Sequence, residues 1–122
     1  MADNTITLTG NITRDPEMKF TGGGMAISSF GLAVSNRKKN LSGEYEDEAN
    51  FFDITVFGSL AENVATTLQK GNRVILSGRL DWSQWQTDSG EKRSKVQVIA
   101  DSIGPDLRWA TAVVTKASSE KF

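Results

Sequence analysis

Residues Asn50–Gly71 read NFFDITVFGSLAENVATTLQKG, and two periodicities meet in them. Asn50 to Gly58 is an apolar run of strand type. A strand turns alternate side chains to opposite faces. Phe52, Ile54 and Val56 therefore share one wholly apolar face, and Phe51, Asp53, Thr55 and Phe57 share the other. Two large rings thus stand on the polar side with an aspartate between them. From Ser59 the period lengthens. Leu60, Val64 and Leu68 form one helical stripe, and Gly71 is placed to end the helix. Ser59 is expected to cap it, with Glu62 three residues on completing a capping box.

The flanking segments supply more strands. Thr5–Ile12 alternates, with Ile6, Leu8 and Ile12 inward. Ala26–Ser35 alternates, with Phe30, Leu32 and Val34 on one side. Asp15-Pro16 and Thr21-Gly22-Gly23-Gly24 are loop material between them. After the helix, Arg73–Leu80 is a fourth strand, Gln86–Gly90 a hairpin turn and Lys92–Ala100 a fifth strand. The fold class is all-β. Five short strands with one helix between the third and fourth follow the order of an OB-fold, a Greek-key barrel that binds oligomers on one face, although other small barrels share parts of that order. Leu107–Val114 is expected to add a C-terminal strand before a polar tail. Residues 1–103 are accordingly expected to be the OB-fold domain, and 104–122 a C-terminal extension.

Composition narrows the function classes. At 122 residues the chain suits one domain with a real core. It has no membrane-length apolar run and no signal-peptide pattern, so a cytoplasmic, nucleoid-associated location is expected. Cysteine and histidine are both absent, which excludes the common zinc sites and Ser-His or Cys-His catalysis. No cofactor is expected. A net charge of −1 argues against attachment to nucleic acid by charge alone. That charge is unevenly spread, however. Arg37, Lys38 and Lys39 form a basic triplet, followed by Glu44, Glu46, Asp47 and Glu48, which read as a loop tip. Lys70 to Lys95 holds six basic residues against three acids.

The basic region carries its own ring. If the pleat of the fourth strand continues, Trp85 lies on the side of Arg73 and Arg79, while Trp82 follows the leucines toward core or interface. Rings stacked on bases, with cations tracking phosphates, hold single strands without reading sequence. Two alternatives remain open for Phe51 and Phe57: packing under a loop, or packing under a partner subunit. Three other function classes also stand. A sugar- or protein-binding OB module leaves the basic hairpin without a role. An enzyme needs carboxylates converging in a cleft, and no spacing suggests that. An OB-fold assembly factor would not bind DNA at all.

Several ordered motifs resemble the bacterial single-stranded DNA-binding protein family over nearly the whole chain. They are TLTGNITRDPEMKF, NFFDITVFGSLAENVATTLQKG and GNRVILSGRLDWSQWQTDSGEKR. DSIGPDLRWATA is similar to actinobacterial-type members. The resemblance implies base stacking at Phe51, Phe57 and Trp85. It implies phosphate contacts from Lys19, Arg73, Arg79, Lys92 and Arg93. It also implies a homotetramer with single-stranded DNA wrapped around it. Ile6, Thr7 and Leu8 would pair across a twofold axis, Phe52 would face core or subunit, and the segment from Trp109 to Val114 would clasp a neighbour. Roles in replication, recombination and repair follow from the same resemblance.

Four features depart from the family pattern. Arg37, Lys38 and Lys39 stand where many members carry a tryptophan, and phosphate attraction is expected to replace that ring. Asp53 would repel phosphate unless a cation neutralises it. Trp82 is an additional aromatic. The ending Ser118–Phe122 has one acid, Glu120, followed by Lys121, so recruitment of repair enzymes through an acidic tail is not expected.

Overall fold

The computed structural model describes residues 3–117. The tail ending of the sequence reading lies outside the described residues. The elements are β1 (Ile6–Ile12), β2 (Glu17–Phe20), β3 (Ala26–Lys39), β4 (Tyr45–Phe57), α1 (Ser59–Thr67), β5 (Arg73–Gln86) and β6 (Lys92–Pro105). The sheet order is β1-β5-β6-β4-β3-β2, and a β1–β3 pairing at Asn11↔Ala33 and Ile12↔Leu32 closes it. Five strands thus form a ring with the helix after the third of them, as expected. The sixth strand, β2, lies outside the ring and, among the described residues, pairs only with β3.

The apolar parities meet inside this ring. Phe30, Leu32, Ile54, Val56, Val74 and Val98 are fully buried. Ala61, Val64 and Leu68 of α1 and the residue just after it join them. The Ser28 hydroxyl donates to the Ala61 carbonyl at 2.8 Å and ties β3 to the helix without leaving a buried polar atom unpaired. Closure demands close backbone approach. A Cβ at Gly10 would run into the Ala33 carbonyl oxygen, and one at Gly78 into that of Ile99. At Gly78 the β5–β6 register also shifts. Ser77 pairs with Ser102 and Gly78 with Ala100, which leaves Asp101 as a bulge.

Three expectations are corrected. The helix is not capped by Ser59. Gly58, at φ 72°, is the cap residue, and Ser59 is already the first helical residue, so its hydroxyl is one position too late. Gly71, at φ 93°, is the third residue of the Gln69–Asn72 turn into β5, three residues after the backbone turns extended at Leu68. Leu107–Val114 forms no strand in the single chain. A strand needs a ladder partner, and both edges of β5, which this segment adjoins through Asp106 N–H to Arg73 carbonyl (2.8 Å), are occupied by β1 and β6.

Of the acids at 44–48, only Glu44 lies in the turn; Glu46, Asp47 and Glu48 are on a strand, not a loop tip. β3 runs on to Lys39 and β4 begins at Tyr45, so Arg37 faces Asp47 and Lys38 faces Glu46 across a long hairpin. Opposite charges directly across an antiparallel ladder support it. The tight turn is built by Asn40, whose Oδ1 accepts from the Ser42 and Glu44 N–H groups at 2.9 and 3.0 Å. Among the described residues no helix is long and apolar enough to cross a membrane.

Candidate nucleic-acid interface

The register places most of the expected residues on one outer face. On β4, Phe51, Asp53, Thr55 and Phe57 alternate outward; Phe51 is 73% and Phe57 40% exposed. On β3, Ala33 lies beside Phe51, Gly31 beside Asp53 and Ile27 beside Phe57. Lys19 of β2 pairs with Ile27, so Lys19, Ile27 and Phe57 form one row. On the other flank, Arg79, Asp81, Ser83 and Trp85 of β5 oppose Ile99, Gln97, Lys95 and Arg93 of β6. Trp85 is 48% exposed and stands directly across from Arg93.

A polar chain crosses the centre of this face. The Thr55 hydroxyl donates to Gln97 Oε1 at 2.8 Å, and Gln97 Nε2 donates to Asp81 Oδ2 at 3.3 Å. It links β4, β6 and β5 and fixes the spacing of the two flanks. Asp53 is also engaged. Arg14 Nη2 lies 3.8 Å from its Oδ1 and Lys95 Nζ lies 3.9 Å from its Oδ2. Its charge is therefore answered by two cations. Arg14 is 39 positions from Asp53 in sequence and Lys95 is 42, so no local motif could have indicated either.

Not every expected contact shares the face. Lys38 pairs with Glu46 and Lys92 with Gln86, both at the opposite parity. Of the triplet, Arg37 and Lys39 keep the parity of Phe51. Arg73 is held away from it. Its Nε donates to Asp106 Oδ2 at 2.8 Å, and its guanidinium lies 4.9 Å from the Trp109 ring centroid. Arg108 covers the same ring at 4.8 Å. Arg73 also sits six residues from Arg79 along β5, a separation of about 20 Å. Its partners hold the Asp106 carboxyl below the usual carboxylate range, first through the Arg73 hydrogen bond and then through the Arg108 N–H. Arg79 and Arg93 also have acidic neighbours, Asp101 at 3.7 Å and Glu91 at 2.6 Å.

One ring escaped the sequence reading. Tyr45 has the β4 parity of Phe51 and Phe57, and the Arg37 guanidinium lies 5.0 Å from its ring centroid. Phe57, Phe51 and Tyr45 are spaced six residues apart on one strand. The signal was present in the alternation, but Tyr45 lay inside an acidic run that reads as loop.

The opposite face of the β5–β6 hairpin carries an open apolar patch near the barrel. Leu80, Trp82 and Val96 share it, and Trp82 is 61% exposed, so it is not a core residue of the single chain. Phe52 is half-buried against the core. From Ile6 to Gly10, β1 has β5 on one side only among the described residues, so Ile6, Thr7 and Leu8 lie on a free edge. Trp109 is exposed apart from its two arginines.

The model of the single-strand binding protein family matches residues 3–106. A single-stranded DNA-binding protein of Mycolicibacterium smegmatis is 48% identical over 118 residues, covering 95% of this chain and 72% of that protein. One from Corynebacterium glutamicum is 44% identical over 118 residues, covering 95% and 52%. The crystal structure of a deletion mutant of the single-stranded DNA binding protein from Thermus aquaticus superimposes with a TM-score of 0.76 at 34% identity. That match covers 86% of this chain and about half (51%) of the other.

Proposed function

The chain belongs to the single-strand binding protein family, and on that premise we propose that it binds and shields single-stranded DNA during replication, recombination and repair, without reading sequence. One observation carries the reading: Phe51, Phe57 and Trp85 stand exposed on one sheet face whose other projecting groups include Lys19, Arg79 and Arg93. Exposed rings of this kind stack on any base, and flanking cations track the backbone. Tyr45, with Arg37 over it, extends the platform along β4 in place of the ring that the Arg37–Lys39 triplet lacks. Lys39 adds phosphate attraction from the same face. Lys38, Lys92 and Arg73 contribute only through the general field, because their side chains leave that face or are otherwise engaged.

Assembly follows from the surfaces left open. An unpaired β1 edge invites a second β1, and the Leu80–Trp82–Val96 patch needs cover. Both support a homotetramer in which Ile6, Thr7, Leu8, Phe52 and Trp109 meet neighbouring subunits. The experiment is fluorescence anisotropy with a labelled oligo(dT) and with a duplex of the same length. The reading requires the single strand to bind far more tightly. Equal affinity for both would leave only charge attraction and refute it. Light scattering tests assembly, where a monomer at micromolar concentration would contradict the tetramer.

A further inference from the structure

The Arg14–Asp53–Lys95 cluster is a charged arrangement on the proposed binding face that stacking and phosphate tracking leave unexplained. A carboxylate two residues from Phe51 ought to repel the backbone of any strand stacked there. Yet its two oxygens are each claimed by a cation, Oδ1 by Arg14 and Oδ2 by Lys95. The two cations come from different parts of the fold, the loop after β1 and the first third of β6, and converge on the same point. Gly31, the register partner of Asp53, makes the approach possible. A Cβ at Gly31 would collide with the Thr13 hydroxyl and stand 2.7 Å from Arg14 Nη1, so the Arg14 side chain crosses β3 over the one residue that leaves it room.

From this geometry we propose that Arg14 and Lys95 form a phosphate-binding pair beside Phe51, and that Asp53 occupies the pair in the DNA-free chain and competes with the incoming phosphate. A phosphodiester has two non-bridging oxygens and can serve both cations as the carboxylate does. Exchange is feasible because all three side chains are about half exposed and both distances are long for ion pairs, so solvent screens the contact. The consequence is a built-in brake. Affinity at this point is set by how well phosphate displaces an internal anion, which favours release and movement over tight retention. The inference rests on the single-strand reading above and adds a specific site to it.

The test is Asp53→Asn in the full chain, measured by anisotropy with oligo(dT) across a salt series. With the competitor gone, affinity near 0.1 M salt should rise about three- to tenfold. The slope of log K against log[salt] should steepen by about 0.7, the amount for one further phosphate neutralised on a single strand. The gain should fall below about twofold in an Arg14→Ala/Lys95→Ala background. Asp47→Asn makes the same charge change on the same strand, opposite Arg37, and should gain less than about twofold. The proposal is overturned if Asp53→Asn binds no tighter. It is also overturned if the gain persists without Arg14 and Lys95, or if Asp47→Asn matches it. A wild-type chain with no preference for oligo(dT) overturns the single-strand reading as well, whereas normal wild-type binding with an unimproved Asp53→Asn overturns this site alone.

Discussion

Replacing Phe51 by alanine separates a binding ring from a packing ring. Only about a quarter of the Phe51 surface is covered in the fold, since it is 73% exposed. A phenylalanine has roughly 200 Å² to bury, so about 50 Å² is lost to water in the variant. At ~25 cal/mol/Å² that is at most about 1.3 kcal/mol of stability. For a chain of this size the melting temperature should drop by roughly 5 °C or less. Phe30, fully buried in the barrel, gives the contrast. Its alanine variant leaves a cavity and should cost about 3–5 kcal/mol. Binding should reverse the order. A base stacked on Phe51 is worth about 1–3 kcal/mol, so Phe51→Ala should weaken oligo(dT) binding roughly 5- to 150-fold. The assay pairs thermal melting with oligo(dT) anisotropy for both variants. If Phe51→Ala melts as early as Phe30→Ala yet binds normally when folded, the ring is a packing residue and the reasoning is refuted.

Other expectations follow from particular contacts. Arg37→Ala and Lys39→Ala should each flatten the salt dependence of oligo(dT) binding by about 0.7 in log–log slope, while Lys38→Ala, on the opposite face, should change it little. A salt titration of the three variants checks this. The Asp106 carboxyl is depressed below its ordinary 3.8 by Arg73, so its contribution to stability is present above that value and lost as pH falls through the lower folded-state value. The melting-temperature gap between wild type and Asp106→Asn should therefore be open at pH 7 and close progressively below about pH 4. Gly78→Ala should be strongly destabilising, because its Cβ meets backbone at Ile99 that cannot yield; a melting curve like that of wild type would contradict the close approach.

Alternation in β4 made the two faces legible, because Ile54 and Val56 must be buried and Phe51 and Phe57 have the other parity. The helix position followed from its stripe for the same reason. What stayed hidden is what hydropathy does not encode. The outer half of the β3–β4 hairpin stands clear of the core, so Arg37–Lys39 and Tyr45–Glu48 show no apolar alternation; the ladder and paired charges hold them. β2 is exposed along its four residues and gives no burial signal. The contacts of Arg73 were not legible, because parity fixes a side, not a partner, and Asp106 lies 33 positions away in sequence. Asp53 was visible as an anomaly, but its two cations needed the fold to bring them together.

The central claim is that bases stack on the outer face of β4 and β5, and Trp85 reports on it most directly. In a Trp82→Phe/Trp109→Phe chain, Trp85 is the sole tryptophan, and its emission during an oligo(dT) titration reads contact at that ring alone. The account predicts strong, saturable quenching that parallels the anisotropy change. Full binding by anisotropy with Trp85 emission unchanged would contradict it, since the strand would then lie elsewhere on the protein.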